Sequence, residues 1–138
     1  VPDLGEYANT DWPEPQKGHA AMITRLDRDV GRVLDKLTEL GMEQNTVVFF
    51  TSDNGPHKEG GNDPLFNHSN GPFRGWKRDL TEGGIRVPMI VRWPGVAPAG
   101  VTSDYIGYHP DFFPTAMARG GEAWHAPRSR PATSTSER

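Results

Sequence analysis

At 138 residues the chain has the length of about one domain, yet only 34% of it is hydrophobic, and 16 Gly with 13 Pro give it an unusual share of loop. A formal net charge of −3 without a concentrated basic face argues against nucleic acid as a partner. Cysteine is absent, which excludes disulfides and thiolate metal sites, and no run approaches the roughly 20 apolar residues of a membrane span.

So much loop in so short a chain reads as a piece of a larger domain. Residues 1–15 are turn-rich, pass through Asp11-Trp-Pro-Glu-Pro15, and lack the basic and apolar regions of a signal peptide. A helix is predicted from about Gln16 to Leu40. Met22, Ile23, Leu26, Val30, Val33, Leu34, Leu37 and Leu40 form its apolar stripe, and Asp29, Arg32, Lys36 and Glu39 lie on the solvated face. Gly41 fits the residue after the C-cap. A short loop and a second element then complete the αβ half of a βαβ unit.

That element is Val47-Val-Phe-Phe50, a short apolar run expected as a strand buried on both faces of a parallel sheet. In such sheets ligands bind beyond the carboxyl ends of the strands, which is where Asp53 and Asn54 fall. Both offer hard oxygen atoms of the kind Ca²⁺ or Mg²⁺ prefers. The rival reading is a hairpin turn at Asn54-Gly55, although Pro56-His-Lys-Glu-Gly-Gly-Asn-Asp-Pro64 is no alternating return strand.

From Gly55 to Gly84 no periodicity is sustained, and a stretch of that length is functional or disordered. Its turn chemistry, ending in Gly71-Pro-Phe-Arg-Gly-Trp-Lys-Arg-Asp79, argues for order. Around Lys77 the cations Arg74, Arg78, Arg86 and Arg92 outnumber Asp79 and Glu82, which suits an oxyanion, while a solvated surface loop is the plainer account. Glu82 reads as structural, pairing with Arg86 or backbone amides, and Gly83-Gly84 as a place of close packing or positive φ. His57 stands three residues beyond Asn54, within reach of the same cavity as a proton carrier or hydrogen-bond donor. His19, His68, His109 and His125 show no metal-ligand spacing, and Phe73 and Trp76 suit either core filling or a pocket for a ring-shaped substrate. A second strand is expected from Ile85 to Trp93, weakened by Pro88, and a helix from Asp111 to Ala118. Residues 119–138 have the composition of a disordered tail.

Ala20-Ala-Met-Ile-Thr-Arg-Leu-Asp27, Thr51-Ser-Asp-Asn-Gly55, Ser69-Asn-Gly-Pro-Phe-Arg-Gly-Trp-Lys-Arg-Asp79, and Glu82-Gly-Gly-Ile-Arg-Val-Pro88 with Arg92-Trp-Pro-Gly95 stand in one order and spacing. Together, over roughly residues 1–115, they resemble the type I, formylglycine-dependent sulfatases. The resemblance implies an α/β fold, a partial alkaline-phosphatase-like sandwich, and the latter part of a catalytic domain over residues 1–118. It implies hydrolysis of sulfate esters on a sulfated small molecule or glycan, while the charge and hydropathy above lead us to expect neither nucleic acid nor membrane as a partner. In the family the matching acid and amide bind Ca²⁺, here Asp53 and Asn54, and the matching lysine contacts the sulfate, here Lys77. The family's formylglycine arises from Cys or Ser in a Cys/Ser-x-Pro-x-Arg motif. This chain has no Cys, and Ser52, Ser69, Ser103, Ser129, Ser134 and Ser136 do not begin such a motif. The nucleophile is therefore expected upstream. Alternatives are a phosphoester or phosphonate hydrolase of the same superfamily, or a non-catalytic remnant that retains a metal or glycan site. Family analogy places such proteins in the periplasm or outside the cell. After Thr115 the chain departs from the family pattern, consistent with a frameshift or a truncated product.

Overall fold

The computed structural model describes residues 3–119 of a chain that divides into two units, Val1–Gly100 and Val101–Arg138. In the first, a 3₁₀ turn at Gly5–Tyr7 precedes the long helix α1, Glu14–Glu39. Pro15 sits in the first turn of α1, where a missing N–H leaves no hydrogen bond unmade. The helix ends as its sequence dictates. Gly41 takes φ 65°, and the Met42 N–H reaches back to the Leu37 carbonyl at 2.9 Å, which closes the last turn. The expected surface pairs are in place, Arg32–Asp29 at 3.0 Å and Lys36–Glu39 at 2.5 Å.

The apolar stripe of α1 is only partly covered. Ala21 is buried and Val30, Leu34 and Leu37 are half-buried, but Met22, Ile23, Leu26, Val33 and Leu40 are exposed, Leu26 by 52%. The helix packs against the Gly5–Tyr7 turn and a second 3₁₀ turn, Glu43–Asn45. Tyr7 Oη meets Thr24 Oγ1 at 2.9 Å, and Arg25 pairs with Asp3 at 2.5 Å.

Strand β1, Val48–Thr51, pairs with β2, Met89–Arg92, in a two-stranded antiparallel sheet with Val48 opposite Arg92 and Thr51 opposite Met89. Two expectations are corrected here. The strand is half-buried and antiparallel, where a parallel strand covered on both faces was expected, so no βαβ unit forms among the described residues. Only one partner strand lies beside it there, and Ile90 of that partner is 62% exposed. The second strand is also shorter than the predicted Ile85–Trp93. Glu82–Ile85 forms one helical turn, α2, and Pro88 has no N–H to give a ladder, so pairing starts at Met89. The Pro88 carbonyl accepts from Thr51 Oγ1 at 2.9 Å instead. Arg92 pairs with Glu43 at 2.5 Å, tying β2 to the turn that precedes β1.

In the second unit a 3₁₀ turn at His109–Asp111 leads into helix α3, Phe112–Arg119, close to the predicted helix. Asp111 accepts the Tyr108 N–H at 3.0 Å, and its own carbonyl accepts from Thr115 Oγ1 at 2.7 Å. The tail expected over residues 119–138 lies outside the described residues from Gly120 onward. Among the described residues no helix is long and apolar enough to cross a membrane.

Candidate sulfate and metal site beyond β1

The close packing just beyond β1 is made of main chain. Gly55, Gly83 and Gly84 are all buried, and the Gly55 N–H donates to the Gly84 carbonyl at 2.9 Å. The Gly83 N–H donates to Arg74 O at 2.8 Å, and the Lys77 N–H to Pro56 O at 2.8 Å. The segment after β1, the loop carrying Lys77 and the turn α2 are thereby stitched into one junction. A methyl group has no room in it. A Cβ on Gly55 would lie 2.0 Å from Gly83 O, one on Gly83 would lie 2.1 Å from Gly75 O, and one on Gly84 would lie 2.2 Å from Asp79 O. Close approach, not positive φ, is what Gly83 and Gly84 provide.

The Lys77 loop is held from within. Asn70 Nδ2 donates to Phe73 O at 2.7 Å and to Gly75 O at 3.2 Å, and Thr81 Oγ1 donates to Arg74 O at 2.7 Å. Asp79 caps the turn by accepting the Trp76 N–H at 3.1 Å. Arg78 adopts φ 82°, a conformation that costs a non-glycine residue about 1–3 kcal/mol and persists where neighbours over-determine it. Its guanidinium meets Glu59 at 2.8 Å. The long unperiodic stretch is thus an ordered structure held by backbone bonds and side-chain caps, as its turn chemistry predicts.

The hairpin reading of Asn54-Gly55 is excluded. Strand β1 pairs with β2 rather than with residues 56–64, and neither Asn54 nor Gly55 has the positive φ of a type I′ turn. Asp53 is exposed and Asn54 half-buried just past the end of β1. Neither side chain has a hydrogen-bond or ion-pair partner among the described residues.

The excess of positive charge around Lys77 is smaller than the sequence count implies. Arg78 is matched by Glu59, Arg86 by Glu82 and Arg92 by Glu43. Glu82 is therefore structural in the expected way. Phe73 and Trp76 are covered by cations, with Lys58 Nζ 3.3 Å from the Trp76 ring centre and the Arg86 guanidinium 4.9 Å from that of Phe73. Lys77 differs from its neighbours: half-buried, its ammonium makes no ion pair with any described carboxylate. His57 Nδ1 accepts the Glu59 N–H at 3.1 Å and lies 2.9 Å from the Glu59 carboxylate, and its carbonyl accepts from buried Asn62 at 2.7 Å. The His57 ring stacks on His19 at 6.0 Å between centres.

Hard, unpartnered oxygen donors at a strand end suit Ca²⁺, but two side chains are only part of the six to eight oxygens it takes. Among the described residues no group of three or more His, Cys, Asp or Glu is placed to hold a metal ion. Asp53 and Asn54 alone do not complete such a shell.

Sequence reasoning missed the aromatic cleft beside this junction. Tyr7 stacks on Trp12 with ring centres 5.7 Å apart, and Phe66 meets Trp12 edge-on at 5.5 Å. These rings, with Gln16, His19 and Asn67, line a cavity of about 430 Å³. Its signal is dispersed over residues 7–67 and becomes legible only once α1 and the loop fold together.

The family model described as Sulfatase matches residues 7–122. Steryl-sulfatase of Rattus norvegicus is 44% identical over 101 residues, which are 72% of this chain and 18% of that protein. N-acetylgalactosamine-6-sulfatase of Rattus norvegicus is 42% identical over 104 residues, again 72% of this chain and 18% of the relative. The chain thus spans under a fifth of the length of these relatives. The crystal structure of Ps i-CgsB in complex with k-i-k-neocarrahexaose superposes with a TM-score of 0.77 at 31% identity, over 90% of this chain and 26% of that one.

Proposed function

From the premise that this chain belongs to the sulfatase family, we propose that it forms part of the active site of a sulfuric ester hydrolase with an alkaline-phosphatase-like α/β sandwich. In this reading Asp53 and Asn54 hold one side of a Ca²⁺ ion and Lys77 contacts the ester sulfate. One observation carries it. The unpartnered acid and amide past β1 and the unpaired ammonium of Lys77 sit on segments fastened together by the Lys77 N–H to Pro56 carbonyl bond.

The chemistry follows from charge. As the S–O bond of a sulfate ester breaks, negative charge grows on the sulfate oxygens and the leaving oxygen, and a fixed cation in a water-poor cleft stabilises it. A bound Ca²⁺ would supply further positive charge to the same oxygens. Lys77 holds its own charge without a competing carboxylate and without rearrangement of its loop. Asp53 and Asn54 present oxygens without first breaking internal bonds. His57, its Nδ1 engaged by Glu59, serves in this reading as a hydrogen-bonding neighbour of the substrate. The substrate class is a sulfated glycan, supported by the carrahexaose-bound neighbour and the N-acetylgalactosamine-6-sulfatase relatives.

Replacing the matched segment of a complete sulfatase by this chain tests the proposal. Ca²⁺-dependent sulfate release that falls on Asp53→Ala is the expected outcome, and release indifferent to Asp53→Ala rejects it. The 138 residues alone should show no sulfatase turnover, because they contain no Cys/Ser-x-Pro-x-Arg motif. Sulfate release by the pure chain would refute that expectation. Isolated Ca²⁺ affinity should also be weak, since two side chains leave most of the coordination shell to water. Calorimetry finding a sub-micromolar Kd would contradict the assignment of Asp53 and Asn54 as one edge of a larger shell.

A further inference from the structure

The cleft of Tyr7, Trp12, Gln16, His19, Phe66 and Asn67 is occupied by none of the roles above. Resting on the sulfate-ester reading of the neighbouring site, we propose that this cleft is a saccharide subsite that grips a sugar ring of the substrate through stacking on Trp12 and a hydrogen bond from Gln16.

The chemistry of the walls points to a sugar rather than to a purely apolar ring. Trp12 is stacked on Tyr7, flanked edge-on by Phe66, and still 39% exposed, so aromatic surface is held open in a fixed orientation. Tyr7 is itself anchored by its hydroxyl to Thr24 of α1, and the Thr10 hydroxyl donates to the Tyr7 carbonyl at 2.9 Å. Rings fixed in advance lose little conformational freedom when they bind. The C–H face of a pyranose is apolar and matches such a surface, while its rim of hydroxyls demands polar partners. Gln16 supplies them. It is only 5% exposed, it lines the cavity, and its amide makes no hydrogen bond among the described residues. That amide has no protein partner yet is not sealed from solvent, so a ligand hydroxyl can bond it in place of water. A steroid or simple aryl ring seated there would displace that water without replacing its bonds.

One ring contact links the cleft to the segment after β1. His19 lines the cleft and stacks on His57, three residues from Asn54.

The test uses the full chain with a sulfated galactan hexasaccharide and the same oligosaccharide chemically desulfated. In wild-type protein both should shift the NMR signals of the Trp12 indole N–H and the Gln16 side-chain amide. Trp12→Ala should weaken both ligands at least tenfold and Trp12→Phe less than threefold, because a ring remains. Lys77→Ala should weaken only the sulfated ligand. If Lys77→Ala treats the two alike while Trp12→Ala weakens both, the saccharide subsite stands and the sulfate-site reading falls. If the desulfated ligand leaves the Trp12 and Gln16 signals unmoved, or 4-nitrophenyl sulfate moves them as strongly as the oligosaccharide does, the subsite is overturned. The wild-type signals decide the matter even if Trp12→Ala fails to fold.

Discussion

Gly84→Ala is expected to cost about 3 kcal/mol of stability, at the upper end of what overpacking a close-packed interior costs. The reason is the identity of the obstructing atoms. A Cβ at this position meets Asp79 O at 2.2 Å and Trp76 O at 2.6 Å, both main chain, so no side chain can swing aside. Relief requires the Lys77 loop to move away from α2, which breaks the bonds from Gly55 to Gly84 and from Lys77 to Pro56. Gly31→Ala is the control. Gly31 lies within α1 with no atom within 4 Å of a built Cβ, so alanine there should stabilise by about 1 kcal/mol through helix propensity. Urea unfolding of the two variants measures the contrast. Equal midpoints would show that the glycine junction does not limit stability.

Lys77→Ala, in a complete sulfatase carrying this segment, is expected to lower kcat about 10²–10³-fold, the usual loss when one preorganised electrostatic contact to a transition state is removed. Lys36→Ala should leave kcat within twofold, because Lys36 is exposed on α1 and engaged only with Glu39. Steady-state rates at saturating substrate compare them. The loss should appear in kcat as well as in KM, since charge on the sulfate oxygens rises toward the transition state. Matching losses in the two variants would remove Lys77 from the site.

Local signals were read accurately where their cause was local. The helix stop at Gly41, the i,i+3 pairs of α1 and the interruption at Pro88 each depend on a few neighbouring residues. So does the departure of Asn54-Gly55 from a hairpin, visible in the lack of a return strand. What escaped reading was partnership. Val47-Val-Phe-Phe50 announces a strand, but an apolar run carries no information about whether its neighbour runs parallel or antiparallel. The stripe of α1 announces a face without saying how much of it these residues cover. Charge counting failed around Lys77 for the same reason: the carboxylates that neutralise Arg78 and Arg92 come from Glu59 and Glu43, far away in sequence. Phe73 and Trp76, which suit either core filling or a pocket wall by sequence, are covered by Arg86 and Lys58, while Trp12 and Phe66 leave aromatic surface open.

Because peptide groups at Gly55, Pro56, Gly83 and Gly84, with the side chains of Asn70, Asp79 and Thr81, hold this junction, the scaffold does not draw on the side chains at 53, 54 and 77. Chemical preference and architectural integrity are thereby decoupled. Substitutions at 53, 54 and 77 should therefore leave the support beneath them standing.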